Sequence, residues 1–145
     1  MNEFERAVRA EVYRTFRDES AAPSSSALAR RLGVTEVPVV SALRALADEH
    51  CLVLRPGTAS VWMAHPFSAV ETEIVVAAGT RRWYANCVWD GLAILALFGD
   101  GTVDTHSPGS GEPIRFSVNR GVVSGEGIVH FLVPAARFWE NIGYT

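Results

Sequence analysis

The sequence predicts an α+β protein in which an N-terminal helical module precedes a core built from a sheet and a helix. Three observations predict this class. Apolar residues recur every three or four positions in the first 50 residues, as in amphipathic helices. Short apolar runs bounded by glycine and proline follow, as in strands. One longer, almost unbroken apolar stretch, from Cys87 or Val88 to Phe98, suits a helix buried on most sides.

The first two helices are marked by their apolar spacing and by their ends. A four-residue repeat predicts the first helix, through Phe4, Val8, Val12 and Phe16. Serines at 24–26 offer caps for a second helix over 27–32, and Gly33 ends it because glycine tolerates the left-handed conformation of a helix terminus.

A third helix and a hairpin complete the N-terminal module. Thr35 is the predicted cap, and one apolar stripe follows it: Val37, Val40, Leu43, Leu46 and Ala47. Two short strands, 51–55 and 60–64, are joined by a Pro-Gly-Thr turn. Three helices followed by a hairpin predict a winged-helix-like module over residues 1–66.

Residues 67–145 are predicted to form the second module. A linker is expected at 65–68, and extended segments at 72–78 and 81–86 precede the apolar helix. Three further strands are expected at 102–106, 113–118 and 127–133, followed by a last helix over 135–141 that begins after Pro134. The expected sheet is mixed or mostly antiparallel, with the buried helix lying on it.

Composition and charge exclude several classes of protein. The chain has 145 residues, of which 48% are hydrophobic and 20% charged, and its net charge is −3, so it is neither disordered nor strongly basic. The third helix is net acidic, which argues against a DNA reader. With no secretory leader and no apolar run of roughly 18 residues, we expect a cytoplasmic protein with no membrane or nucleic-acid partner.

Cys87 and Asp90 stand at the predicted start of the buried helix, about one turn apart on one face. The helix dipole and free N–H groups favour a thiolate there, while repulsion between the thiolate and the neighbouring carboxylate is expected to retain one proton between the two groups. A soft sulfur ligand beside a proton donor suits electrophilic cleavage of a carbon–metal bond. Helix capping by a cysteine, with an acidic residue in the first turn, is the alternative interpretation.

The surroundings of this pair resemble the alkylmercury (organomercurial) lyase family. The resemblance includes the stretch RRWYANCVWDGL at 81–92, the apolar helix after it, and GTVDTH at 101–106. It continues through a Pro/Gly turn to GEPI at 111–114, then VHFLVP at 129–134 and Phe138-Trp139. The family's N-terminal helical module also resembles residues 1–66.

The resemblance implies protonolysis of a carbon–mercury bond without an organic or metal cofactor. Cys87 matches the family's first mercury-binding cysteine and Asp90 its proton-donating aspartate. Thiolate is the ligand that soft Hg(II) prefers. The expected partners are a small organometal or other small apolar ligand and small thiols. A substrate pocket walled by Trp83, Tyr84 and Trp89 is expected, with core packing as the alternative for these aromatic residues.

The family's second cysteine, which follows the last helix, has no match in this sequence. Cys51, the only other cysteine, lies at the start of the hairpin, and Ser107 follows His106 where the family often has a cysteine. We therefore expect a short or diverged member. The alternatives are a non-catalytic soft-metal binder and a family scaffold with other small-molecule chemistry. His106 is expected at the surface, and neither it nor His130 has zinc-site spacing with the cysteines.

Overall fold

The computed structural model describes residues 1–143, and within that range four α-helices accompany one eight-stranded antiparallel sheet. The α+β prediction is therefore confirmed. In chain order the elements are α1 Glu3–Glu19, α2 Ser25–Leu32, α3 Glu36–Asp48, β1 Val53–Leu54, β2 Val61–Ala64, β3 Phe67–Ser68, β4 Val75–Ala78, β5 Arg81–Ala85, α4 Val88–Phe98, β6 Gly101–His106, β7 Pro113–Asn119, β8 Val122–Ser124 and a 3-10 helix at Ala135–Glu140.

Capping residues close the first two helices, and the second begins at Ser25, two residues before its predicted start. Asn2 Oδ1 accepts from the Glu5 amide at 2.9 Å, which closes a capping box at the start of α1. Ser24 Oγ accepts from the Ala27 amide at 3.1 Å at the start of α2, and Gly33 ends that helix with φ +68°. Within residues 1–143, no helix is long and apolar enough to cross a bilayer.

The third helix is rotated relative to the predicted stripe. Val39, Leu43 and Leu46 are at most 1% exposed, whereas Val37 is 75% exposed. The first three lie at positions i, i+4 and i+7 and so share one face, whereas Val37 shares its face with the exposed Ser41. The prediction of a buried Val37 was wrong, because the β-branched residues of this helix fit more than one helical phase.

A single sheet runs through both predicted modules, in the order β1-β2-β3-β5-β4-β6-β7-β8. The expected linker at 65–68 contains β3, whose Phe67 pairs with Ala64 on one side and Ala85 on the other. Phe67 is 2% exposed and packs in one hydrophobic cluster with residues of α1 and α4. Helices from the first 50 residues therefore share their core with the helix that carries Cys87, while a domain boundary at residue 66 stays a prediction.

The last strand lies earlier in the chain than predicted. Arg120 and Gly121, with φ +50° and +76°, form the two-residue turn from β7 into β8. No strand forms at 127–133, where Gly127 has φ +152°. The expected last helix is a 3-10 helix that ends at Glu140.

Helix α4 packs against the sheet through Ile94 and Leu95, which are at most 1% exposed. Its contact with the sheet is close, because a Cβ on Gly91 would lie 2.8 Å from Val103 Cγ1. Trp89 and Leu97 are 64% and 66% exposed, so the prediction of a helix buried on most sides was wrong. Only Asn86 and Cys87 separate β5 from α4, which places the first turn of α4 at the end of β5.

Candidate active site

Cys87 is the N-cap of α4. Its backbone is extended, with φ −148°, and its Sγ accepts a hydrogen bond from the Asp90 amide at 3.3 Å. A helix start leaves its first N–H groups without helical partners, and the cysteine sulfur satisfies one of them. The side chain is half-buried. The helix start thus holds a sulfur atom at a fixed position directly beside Asp90.

The pKa of the Cys87 thiol is raised above its ordinary value, with burial as the largest cause. The Asp90 and Trp89 amides act in the opposite direction, and the negative charge of the Asp90 carboxylate raises the pKa further. The expected stabilisation of a thiolate by the helix N–H groups is present, but burial and the neighbouring carboxylate outweigh it. The resting thiol is therefore more strongly protonated than an ordinary cysteine.

The Asp90 carboxyl is held through one of its oxygens. Asn86 Nδ2 donates to Oδ2 at 3.2 Å, and His65 Nδ1 lies 3.4 Å from the same atom. The Asp90 side chain is 17% exposed and the His65 side chain 35%. Asn86 Oδ1 is buried and has no hydrogen-bond partner within residues 1–143. The carboxyl is thus mostly shielded from water and oriented by an amide and an imidazole.

Residues from distant parts of the chain surround His65. Tyr13 Oη, from α1, donates to the His65 carbonyl at 3.0 Å. The Trp139 ring stands edge-on to the His65 ring at 6.2 Å between centroids, and its centroid lies 4.1 Å from that of His50, on which it stacks. The site is therefore built by α1, the β2–β3 connection, α4 and the C-terminal 3-10 helix.

Sequence reasoning missed His65, Asn86 and Tyr13. His65 falls in the segment interpreted as a linker, and Tyr13 lies within a helix noted only for its apolar repeat. Asn86, four residues before Asp90, was the one with a local signal, since an amide just before a capping cysteine can reach the first helical turn. The contact of His65 with Asp90 depends on the sheet topology, which no spacing in the sequence reveals.

The three aromatic residues predicted for a substrate pocket lie in different environments. Trp83 is 2% exposed; its Nε1 donates to the Phe16 carbonyl at 2.7 Å, and its ring stacks on Phe98 at 4.4 Å. Trp89, in the first turn of α4, is 64% exposed, and Tyr84 is half-buried on β5. Trp89 is thus exposed beside Asp90 in the first turn of α4, whereas Trp83 belongs to the hydrophobic core.

The second thiol belongs to the segment between α3 and β1. Cys51 follows α3, and its Sγ lies 3.8 Å from the Glu49 carbonyl oxygen. Both cysteines are free. The pKa of Tyr13 is raised mainly by burial and, to a smaller extent, by the negative charges of Cys51 and Asp90. Tyr13 is thus within electrostatic reach of both the hairpin cysteine and the Asp90 carboxyl.

The remaining histidines do not join the site. His106, at the end of β6, is exposed as expected, and His130 is also exposed. Among residues 1–143, no group of three or more His, Cys, Asp or Glu side chains is arranged to hold a metal ion.

Comparison with known proteins relates this geometry to one family. The alkylmercury lyase family profile matches residues 67–145, which include Cys87 and Asp90. Among solved structures, the mercury-bound form of MerB2 superposes with a TM-score of 0.67 at 22% sequence identity. The superposition covers 86% of this chain and 60% of that one, so the chain spans about three-fifths of its structural neighbour. No protein with a curated description matches the chain.

Proposed function

This chain belongs to the alkylmercury lyase family, and from that premise we propose that it cleaves the carbon–mercury bond of small organomercurials, with Cys87 as mercury ligand and Asp90 as proton donor. The observation that carries the proposal is the position of Asp90. Its amide donates to Cys87 Sγ at 3.3 Å, so Cys87 and Asp90 meet in the first turn of α4. A helix cap needs only the sulfur and the amide, and the oriented, shielded carboxyl is what capping leaves unexplained.

The first step is capture of the substrate by sulfur. The Cys87 thiol loses its proton, the sulfur forms a bond to mercury, and the anion or small thiolate that mercury carried leaves. Thiolate is the preferred ligand of soft Hg(II), and sulfur donation increases the electron density on the bound carbon. Because burial and the Asp90 carboxylate raise the pKa of Cys87, capture is expected to accelerate as the pH rises.

The second step is protonolysis. The acid form of Asp90 transfers its proton to the carbon, the electron pair of the carbon–mercury bond becomes the new carbon–hydrogen bond, and the hydrocarbon leaves. Hg(II) stays on Cys87 beside the Asp90 carboxylate. Two small thiols then remove the metal as a dithiolate, and their two protons return one to Cys87 and one to Asp90, which restores the acid form. No oxidation or reduction takes place.

Contact with the organic group is proposed for the aromatic residues nearest the helix start. Trp89 offers an exposed ring in the same helical turn as Asp90, and Tyr84 lies on the strand that leads into α4. An apolar ring surface suits an alkyl or aryl group bound to mercury. Trp83 contributes by supporting β5 from the core rather than by direct contact.

The proposal is tested by benzene release from a phenylmercury salt in excess small thiol. The unmodified protein is expected to turn over. Cys87→Ser removes the mercury ligand, and Asp90→Asn removes the acid while keeping the shape of the side chain. A positioned general acid contributes roughly 10²- to 10⁴-fold, so Asp90→Asn should lose a factor of that order.

Cys51→Ser is the matched control for the thiol substitution. It removes a sulfur that lies outside the proposed machinery, and it should leave benzene release unchanged. Equal benzene release from the unmodified protein and Asp90→Asn would contradict the role of Asp90.

A non-catalytic organometal binder is the second candidate, and the lack of a match to the family's second cysteine favours it. Cys51 Sγ contacts the Glu49 carbonyl oxygen at the end of α3, and Cys87 supplies the sulfur at the start of α4. Stoichiometric mercury uptake through Cys87, without benzene, would support this candidate or a family scaffold repurposed for other chemistry.

A further inference from the structure

The contacts of Asp90 distinguish its two carboxyl oxygens. Asn86 Nδ2 and His65 Nδ1 both approach Oδ2, at 3.2 and 3.4 Å. Within residues 1–143, no other N–H or O–H group donates to this side chain, and its remaining polar contact is the hydrogen bond with the Cys87 thiol. With the His65 proton on Nδ1, Oδ2 accepts two hydrogen bonds, and a carboxylic acid in that arrangement carries its proton on the other oxygen. Oδ1 is therefore the oxygen that holds a transferable proton.

We propose that His65 is a positioning residue for protonolysis, which fixes the Asp90 carboxyl through Oδ2 so that the proton on Oδ1 is delivered to the substrate carbon. This inference rests on the proposed function. It adds a residue from outside the cysteine–aspartate pair and assigns it a role at one atom. His65 does not contact the reacting carbon, and it acts only through Asp90.

The chemistry of proton transfer explains why a donor at Oδ2 matters. As the proton leaves Oδ1, the carboxyl becomes a carboxylate and negative charge spreads to Oδ2. Hydrogen bonds to an ionised acceptor are shorter and about twice as strong as those to a neutral one. The imidazole and amide donors therefore gain strength as the reaction proceeds, which lowers the barrier rather than strengthening substrate binding. The 3.4 Å separation fits a contact that tightens along the reaction.

The surroundings of His65 hold its ring for this role. Tyr13 Oη anchors the backbone of His65, and Trp139 borders the ring edge. The ring nitrogen that faces Asp90 is Nδ1, so the neutral imidazole must carry its proton there to donate. Among residues 1–143, the ring faces Asp90, whose neighbour is the Cys87 thiol, and its backbone carbonyl faces Tyr13, which is itself near Arg9 and Cys51.

Three substitutions separate the hydrogen bond from the bulk of the side chain. His65→Asn places an amide N–H near the position of Nδ1, His65→Gln places it one carbon farther out, and His65→Phe keeps a ring without a donor. His106→Phe is the matched control, since His106 is an exposed histidine on β6. Single-turnover rates of benzene release, KM for phenylmercury and stoichiometric mercury uptake are measured for each, with thermal melting as a check of folding.

His65→Phe should lower the rate of benzene release roughly 10- to 100-fold, the value of a hydrogen bond to a charged group. KM and mercury uptake should stay unchanged, because capture by Cys87 does not use this contact. His65→Asn should recover most of the rate and His65→Gln less. Equal rates for His65→Phe and the unmodified protein, with both folded, would overturn the inference and leave the proposed function intact.

A readout that needs no turnover completes the test. In a long-range ¹H–¹⁵N spectrum of the histidine rings, His65 should be protonated at Nδ1, and Asp90→Ala should shift it toward the common Nε2–H form. An Nε2–H form in the unmodified protein would overturn the inference by itself. If the unmodified protein takes up mercury but releases no benzene, the proposed function fails, and the inference fails with it even if the Nδ1–H form is found.

Discussion

Trp83 and the pair formed by Cys87 and Asp90 lie within one eight-residue stretch, yet their surroundings differ in kind. Trp83 is 2% exposed, and its one polar atom is satisfied by the Phe16 carbonyl at 2.7 Å. Cys87 is half-buried with a raised pKa, and Asp90 has its two nitrogen contacts at 3.2 and 3.4 Å. One end of the stretch is fully packed, while the other keeps polar groups partly open to solvent.

The two regions contribute to different properties of the protein, because Trp83 stabilises the fold and the pair of Cys87 and Asp90 holds the groups that can react. A buried indole with a satisfied N–H contributes to folding and has no group left to react. A half-buried thiol beside a carboxylate costs stability when it ionises, because burial and the neighbouring negative charge both raise the pKa of Cys87. The strand end therefore supports the helix start that carries Cys87 and Asp90, and substitutions in the two regions should affect different measurements.

The largest effect on stability is expected for Trp83→Ala. The substitution removes a ring that stacks on Phe98 at 4.4 Å and leaves the Phe16 carbonyl without its donor. Large-to-small changes of buried aromatic residues cost about 3–5 kcal/mol. Chemical denaturation measures the loss. Trp89→Ala, the matched control at a 64% exposed tryptophan, should change the unfolding free energy by less than about 0.5 kcal/mol. Similar losses of unfolding free energy in Trp83→Ala and Trp89→Ala would contradict the distinction between the packed strand end and the open helix start.

A smaller loss is expected for Gly91→Ala, which tests how closely α4 lies on the sheet. The new methyl group would approach Val103 Cγ1 to 2.8 Å, so the helix must move or the valine must turn. Overpacking of this kind costs about 1–3 kcal/mol. Ala is otherwise the better helix former. A stabilised Gly91→Ala protein in thermal melting would show that the helix start is free to shift, and with it the position of Cys87.

Asp90→Asn should lower the pKa of Cys87. The Asp90 carboxylate raises that pKa through its charge and through a hydrogen bond with the thiol, and the amide carries no charge. The pH dependence of iodoacetamide alkylation, measured in a Cys51→Ser background, gives the pKa directly. The variant should react faster near neutral pH than its parent. An unchanged or raised pKa would mean that the two side chains do not interact as described.

The smallest expected effect is the contribution of Cys87 to the pH dependence of stability. Its folded-state pKa is raised above the unfolded value, so the folded state binds the proton more tightly. The corresponding stability is fully present below the unfolded pKa and is lost as the pH rises through the folded pKa. In Cys87→Ser, the unfolding free energy from denaturation curves at alkaline pH should fall less steeply with pH than in the unmodified protein. An equally steep fall would mean that another group causes the pH dependence.

Local signals in the sequence were enough to predict most helices. Ser24 and Gly33 satisfy the ends of α2 through near neighbours, so its position could be predicted from them to within two residues. The same holds for Cys87 and Asp90, which meet because a helix start places residues three apart on one face. The prediction of a strand at 127–133 was wrong. The apolar residues there fit a strand pattern, but the Arg120-Gly121 turn leads into β8 earlier in the chain.

The contacts that complete the site could not be predicted from local patterns. His65 reaches Asp90 across 25 positions because β3 pairs with both β2 and β5. The core position of Trp83 depends on α1, which supplies the Phe16 carbonyl 67 residues earlier in the chain. Such contacts follow from strand order, and a single sequence carries no direct signal for it.

The most direct test of the division between sulfur capture and proton delivery is intact-mass spectrometry after one equivalent of phenylmercury is added without external thiol. Asp90→Asn should keep the complete phenylmercury adduct on Cys87, because mercury capture needs only the sulfur. The unmodified protein should lose the phenyl group as benzene and retain bare mercury. Loss of the phenyl group at equal rates from both proteins would contradict the assignment of Asp90 as the proton donor.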